Sequence, residues 1–227
     1  MEYQTISQPG TLALEQNKVL RNTYMMLALT MIPTIIGAFV GLSANFSFMA
    51  QYPIMAPLLM FAVMIGMLFA VSALRNSVWG IVMLLGFTFV AGVFLGPILQ
   101  NALQLSNGAQ LVGLAAGGTG LIFFSLATVA TVTKKDFSFM GKFLFIGLIL
   151  LIVASLANLF FQVPAMSLTI SAIAVLIFSA YILYDISRII HGGETNYVMA
   201  TMGLYLSIYN IFVHLLSLLM AFSGERD

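Results

Sequence analysis

The sequence has no cysteine and very little charge. Only 7% of its 227 residues are Asp, Glu, Lys or Arg, and 61% are hydrophobic, whereas a soluble domain carries roughly 25% charged residues. The lack of cysteine excludes a disulfide framework, a thiolate metal site and a cysteine nucleophile. The lack of charge excludes a water-soluble fold, because polar groups could not cover so much apolar surface. No basic patch interleaved with aromatic residues points to nucleic acid.

Motifs that would mark an enzyme or a cofactor site are missing as well. There is no H-E-x-x-H, P-loop or dinucleotide fingerprint, and the last apolar run holds no lysine that could bind retinal. An intramembrane aspartyl protease needs two aspartates inside its spans, and here only Asp185 qualifies. The tetrapeptide Gly41–Ala44 resembles the serine motif of rhomboid proteases but lacks its final glycine. We therefore expect no catalytic activity, no cofactor and no metal site.

Long apolar runs dominate what the sequence does contain. About 20 apolar residues in a helix span the hydrocarbon layer, and seven runs of that size follow one another. They are Thr23–Leu42, Pro53–Leu74, Ser77–Leu99, Gln110–Val132, Phe143–Phe161, Ala165–Tyr184 and Ala200–Phe222. The runs do not alternate apolar with polar residues, which argues against a β-barrel. The pattern predicts an all-α membrane protein, a bundle of seven transmembrane helices.

The runs also define the domain organisation. Residues 23–222 form a single membrane domain, preceded by a polar tail over residues 1–22 and followed by a short tail over residues 223–227. We expect the N-terminal tail to be mobile. If one run were re-entrant, the chain would cross the membrane six times and its C-terminus would return to the cytoplasm. The last run is the weakest candidate for a span, because of its polar residues.

The lysines and arginines predict the orientation. With the N-terminus in the cytoplasm, seven of the eight lie on the cytoplasmic side, as the positive-inside rule requires. They are Lys18, Arg21, Arg75, Lys134, Lys135, Lys142 and Arg188, and only Arg226 lies on the other side. We therefore expect the N-terminus inside and the C-terminus outside.

The last run carries a polar stripe. Its members are Gly203, Ser207, Asn210, His214 and Ser217, and steps of three and four residues place them on one face of a helix. A polar stripe facing lipid would be costly, so this face must meet protein or water. We therefore predict that the last helix is central. Two interpretations of the stripe stay open: interhelical hydrogen bonds, or the wall of a narrow hydrated path.

Pairs of small residues four apart occur in the first four runs. Such pairs let helix backbones approach closely in a membrane. The pairs are Gly37 with Gly41, Gly66 with Ala70, Gly92 with Gly96, and Gly113 with Gly117. Together they favour a compact bundle.

Two ionisable residues lie within or at the edge of the runs, Asp185 and His214. Such groups are candidates for function. Asp185 could pair with Arg188, three residues on, or with Arg75 at the end of the second run, and a carboxylate that exchanges partners with pH would act as a latch. His214 could be a neutral hydrogen-bonded imidazole or part of a path.

The loop after the sixth run has a structural explanation. Gly192 and Gly193 can end a helix, Thr195 or Asn196 can cap the next one, and Glu194 suits the positive end of that helix. His191 and Glu194 could bind a metal, but two ligands are weak support for a site.

Several of these segments resemble the Bax inhibitor (TMBIM) family. The most specific are YDISR at Tyr184–Arg188, HGGETNY at His191–Tyr197 and LYLSIYNIF at Leu204–Phe212, and KVLRNTY at Lys18–Tyr24 and LGPIL at Leu95–Leu99 also match. The resemblance runs from about Lys18 to the C-terminus. It implies seven helices with the last one enclosed by the other six, and it points to a bacterial branch that resides in the inner membrane.

The resemblance implies two possible functions. The bacterial branch includes a modulator that binds the FtsH membrane protease, so one hypothesis is an inner-membrane protein that modulates FtsH-type proteolysis through protein contacts. The alternative is a pH-sensitive leak of calcium or protons, gated near Asp185 and Arg75. Family members that leak calcium use two aspartates. Asp185 matches the first, but the second position holds Ser207, which cannot titrate near neutral pH. The remaining candidates for an ion path or pH sensing are Asn210, His214 and Arg188.

Overall fold

A computed structural model describes residues 9–224, which form nine α-helices and one short 3-10 helix. The helices are α1 Pro9–Ser43, α2 Ser47–Gln51, α3 Met55–Leu74, α4 Val78–Phe94, α5 Gly96–Leu103, α6 Gly108–Thr133, α7 Gly141–Phe161, α8 Pro164–Ile190 and α9 Tyr197–Gly224, with the 3-10 helix at Ser138–Met140. Seven helical segments are long and apolar enough to cross a membrane, α4 and α5 counting as one. The predicted seven-helix membrane protein is therefore confirmed.

The first helix is longer than the sequence predicted. It begins at Pro9 and contains 35 residues, which is about 52 Å of helix at 1.5 Å per residue against a hydrocarbon layer of about 30 Å. Residues 9–22, predicted as part of a tail, are therefore helical and continue the first span. The mobility of the tail stays a prediction, and residues 1–8 and 225–227 lie outside the described residues.

The third predicted span is a broken helix. It ends as α4 at Phe94 and resumes as α5 at Gly96, with Pro97 in the first turn of the new helix. Proline has no backbone N–H to continue the hydrogen-bond ladder. Between α1 and α3, the short helix α2 forms a feature that the sequence did not predict.

Helix α9 lies at the centre of the bundle, as predicted. It contacts α1, α3, α4, α5, α6 and α8. Tyr205 and Ile211 of α9 are almost fully buried among Phe87 of α4, Ile182 of α8 and their neighbours in the largest apolar cluster. Helix α7 is the exception, because in the described part of the chain its backbone comes within 8 Å of α8 but not of α9.

Hydrogen bonds tie α9 to α1 and α4 inside the membrane. The Tyr205 hydroxyl lies 2.9 Å from Oγ1 of Thr34 and donates to the carbonyl of Thr88 at 3.3 Å. The Tyr209 hydroxyl donates to the carbonyl of Ala91 at 3.1 Å. Each hydroxyl thus finds a partner that lipid tails could not supply.

Two of the four small-residue pairs pack inside the bundle and two do not. A β-carbon at Gly37 would overlap the carbonyl of Phe89, and one at Gly92 would overlap the carbonyl of Thr34, so α1 and α4 are in backbone contact. In contrast, a β-carbon at Gly66, Gly113 or Gly117 would meet no other described atom within 4 Å. The pairs of α1 and α4 thus pack inside the bundle, whereas the glycines of α3 and α6 lie open, because spacing alone does not tell which neighbour a helix face meets.

Candidate functional site

The loop at residues 191–196 and the two helices that flank it, α8 and α9, meet at one end of the bundle. We call it the basic end: the N-terminal part of α1, the last residues of α3, α6 and α8, and the first residues of α7 and α9. All seven cations predicted on the cytoplasmic side lie in these segments or within two residues of their ends. The far end, with α2, the loop between α5 and α6 and the loop at Gln162, holds no charged residue in the described part of the chain and is called the uncharged end.

Asn196 joins the start of α9 to the end of α3. Its Oδ1 accepts hydrogen bonds from the N–H groups of Val198 and Met199 at 3.0 and 3.1 Å, which confirms it as the predicted cap. Its Nδ2 donates to the carbonyl of Arg75 at 3.1 Å and to Oδ1 of Asn76 at 2.9 Å. One side chain thus fixes both a helix start and an interhelical contact.

Gly192 ends α8, as predicted. The helix stops at Ile190, and Gly192 adopts φ +76°, a left-handed conformation that favours glycine. A β-carbon there would also lie 3.1 Å from Nε2 of Gln16 on α1. The glycine therefore serves both the turn and the packing of the first helix against this loop.

Arg188 is held by the loop and not by Asp185. Its Nη2 lies 3.6 Å from Oε2 of Glu194 and donates to the carbonyl of Gly193 at 3.0 Å. Its guanidinium also lies over the ring of Tyr184, 5.5 Å from the centroid. Glu194 in turn accepts from the N–H of Asn196 at 2.9 Å.

Asp185 has neither of its two predicted partners. No hydrogen bond or ion pair reaches its carboxylate from any described residue. The side chain of Arg75 is exposed. Both predicted pairings, with Arg188 and with Arg75, are therefore absent from this structure, because Arg188 bonds to Glu194 and Gly193 instead.

The Asp185 carboxylate packs against the central helix. A β-carbon at Gly203 would lie 2.9 Å from its Oδ2, so the glycine makes room for the acid. One turn further along α9, Ser207 is only 3% exposed. Asp185 of α8 therefore contacts α9 at the start of the polar stripe. A serine there holds no second charge, so nothing in this geometry favours a cation leak.

A second cluster at the basic end fastens the α6–α7 loop to α8. The fully buried Ser187 accepts a hydrogen bond from the N–H of Phe137 at 2.8 Å and donates to the carbonyl of Lys135 at 3.3 Å. Asp136 accepts from the N–H of Ser138 at 2.8 Å. The hydrogen bonds from Ser138, helped by nearby His191, lower the pKa of the Asp136 carboxyl. His191 contacts the carbonyl of Ser187 through Nδ1 at 2.8 Å, so its place is explained without a metal.

The polar stripe continues toward the uncharged end. Nδ1 of His214 lies 3.2 Å from Oγ of Ser171 on α8, and Nδ2 of Asn210 donates to the carbonyl of Leu206 at 2.8 Å. Ser217 donates to the carbonyl of Val213. Both residues of the middle section, Asn210 and His214, also line a cavity between α3, α7, α8 and α9. The stripe is therefore packed at Ser207 and borders open space further along.

Several residues of these sites escaped the sequence analysis. Ser187, Ser171 and Thr34 are polar residues in largely apolar helices, and polar residues within spans were the signal that could have identified them. Their partners lie 43 or more residues away in the chain. Residue spacing therefore could not pair them.

Comparisons with known proteins cover almost the whole chain. The family model described as "Inhibitor of apoptosis-promoting Bax1" matches residues 16–224. "Modulator of FtsH protease YccA" of Escherichia coli K12 is 42% identical over 94% of each chain. "Inner membrane protein YccA" of Escherichia coli O6:H1 shows the same values. An uncharacterized protein of Pseudomonas aeruginosa is 43% identical over 93% of this chain and 92% of its own.

Proposed function

Since the chain belongs to the Bax inhibitor family, we propose that it is an inner-membrane protein that modulates FtsH-type membrane proteolysis through protein–protein contacts. The observation that carries the proposal is the 42% identity, over 94% of both chains, to a relative named as a modulator of FtsH protease. The seven membrane-crossing helices suit a protein that meets a membrane protease within the bilayer. The protein has its N-terminus in the cytoplasm and its C-terminus outside.

The basic end offers one contact surface. The N-terminal part of α1 continues the first span beyond the hydrocarbon layer, and Gln16 packs beside Gly192. Leu14, on the same part of α1, is 71% exposed. An exposed apolar residue on a helix that leaves the membrane suits contact with the protease on the cytoplasmic side.

The lipid-facing side of α6 offers a second contact surface. Gly113 and Gly117 lie one turn apart, and no described atom would contact a β-carbon at either. Inside the bundle, glycines with the same spacing bring α1 and α4 into backbone contact. A helix of the protease can approach α6 in the same way.

Two measurements test the proposal. FtsH should co-purify with the full chain from solubilised membranes, and overproduction of the chain should lengthen the half-life of an FtsH membrane substrate. If the protease does not associate and the turnover of its substrate is unchanged, the proposed function is wrong.

Substitutions separate the two contact surfaces. Gly113→Leu with Gly117→Leu should reduce co-purification several-fold, whereas Gly86→Leu should not. Gly86 is the matched control, because it is also open to its surroundings but has no small residue four positions away. Leu14→Asp should weaken association, whereas Leu103→Asp, which changes an exposed leucine near the uncharged end, should not. If the variants of one surface co-purify with FtsH as the native chain does, that surface does not contact the protease.

A further inference from the structure

A cavity of about 310 Å³ opens into the half of the bundle nearer the uncharged end. Its walls are largely apolar and come from four helices, with Pro57 of α3, Leu151 of α7 and Ala174 of α8 among the apolar residues and Ser155 of α7 as a polar one. In the described part of the chain, the backbones of α3 and α7 do not come within 8 Å of each other. The cavity therefore opens between these two helices toward the surrounding lipid.

The inner wall of the cavity is polar. It is formed by Asn210 and His214 of the central helix. Nδ1 of His214 bonds to Ser171 and Nδ2 of Asn210 bonds to Leu206, but no described residue hydrogen-bonds to His214 Nε2 or to Asn210 Oδ1. Hydrocarbon cannot satisfy these two atoms, so an apolar molecule that also carries a hydrogen-bonding group gains more here than a lipid tail does.

The size of the cavity selects among such molecules. Binding sites for small molecules span about 300–1,000 Å³, so this cavity lies at the small end. A partner helix, about 10 Å in diameter, could insert only one or two side chains. The cavity suits a molecule with one alkyl chain, whereas a two-chain phospholipid would leave one chain outside.

We propose that this cavity binds a long-chain fatty acid from the bilayer, with its carboxyl group at Asn210 and His214 and its alkyl chain against the apolar walls. A carboxyl group offers acceptor oxygens and, when protonated, a donor. It can therefore bond both to the amide oxygen of Asn210 and to the imidazole of His214. The site is independent of any contact with a protease.

A photoreactive fatty acid tests the proposal. The full chain is reconstituted in phospholipid nanodiscs with palmitic acid carrying a diazirine in its chain, irradiated, and digested, and the labelled peptides are identified. We expect saturable labelling of peptides from α3, α7 and α8 that line the cavity. Unlabelled palmitic acid should compete, whereas hexadecane and dipalmitoyl phosphatidylglycerol should compete at least tenfold less well. Equal competition by hexadecane, by the phospholipid or by both would overturn the proposal.

Substitutions in the cavity provide the second test. Asn210→Leu combined with His214→Phe removes both hydrogen bonds to the carboxyl group, so affinity should fall roughly tenfold or more. Ser217→Ala, one turn from His214 and outside the cavity, should bind like the native chain. Ser155→Trp, which places a bulky side chain at the cavity wall on α7, should lower labelling even if the double variant does not fold. If every variant that folds is labelled like the native chain, the site is not the one proposed.

Discussion

Asp185 is the residue whose surroundings differ most from expectation. Its carboxylate contacts Gly203 of the central helix and has no described ion-pair partner, while Arg188 bonds to Glu194. Asp185 is half-buried, and a carboxylate partly removed from water without a partner costs free energy that a neutral group of the same shape does not. The position is therefore one where stability has not been maximised, as is common at functional sites.

Asp185→Asn should leave stability unchanged or raise it by up to about 2 kcal/mol, because the amide keeps the shape and removes the charge. The unfolding midpoints of the purified proteins in detergent, at one scan rate and neutral pH, measure this. Glu194→Gln is the control and should lower the midpoint, since it removes the ion pair with Arg188. A clear loss of stability in Asp185→Asn would show that the carboxylate has a partner in solution that this structure does not contain.

At the scale of helices, the same glycine spacing has two outcomes. Gly92 places α4 against the carbonyl of Thr34 on α1, whereas Gly113 of α6 faces open space. The distinction matters for mutagenesis, because only the first glycine is needed for the fold.

Gly92→Ala should destabilise the bundle by about 1–3 kcal/mol, as overpacking does, because the added methyl overlaps backbone that cannot move aside. Gly113→Ala should be neutral or stabilising by up to about 1 kcal/mol, since alanine is the better helix former. Thermal unfolding of both variants beside the native chain gives the comparison. Equal midpoints for the two variants would contradict the proposed α1–α4 contact.

At the scale of the whole molecule, the orientation in the membrane is open to a direct test, because the native chain has no cysteine. Single cysteines can be placed at exposed positions at the two ends, Thr195→Cys at the basic end and Ser47→Cys at the uncharged end. In intact spheroplasts, a membrane-impermeant maleimide should label Ser47→Cys at once and Thr195→Cys only after lysis. The reverse labelling would invert the proposed topology.

Most of the architecture could be predicted from the sequence because its causes are local. Seven apolar runs, a charge asymmetry, a glycine pair that ends α8 and an asparagine that caps α9 each act within a few residues. The break before Pro97 and the helical start at Pro9 were missed, because apolar composition does not show where a helix is interrupted or how far it extends past the membrane.

Residue types alone indicate that the chain crosses the membrane and that α9 is central, because lipid requires every span to be apolar and a polar stripe is costly on a lipid-facing surface. Three features follow only from the packing of the helices: α1 and α4 meet through their glycines while those of α6 stay uncovered, Arg188 bonds to Glu194, and α3 and α7 are separated beside Asn210 and His214. These outcomes depend on which distant segments become neighbours. A polar or small residue in a span indicates that it contacts a partner, but the identity of that partner depends on how all the helices pack.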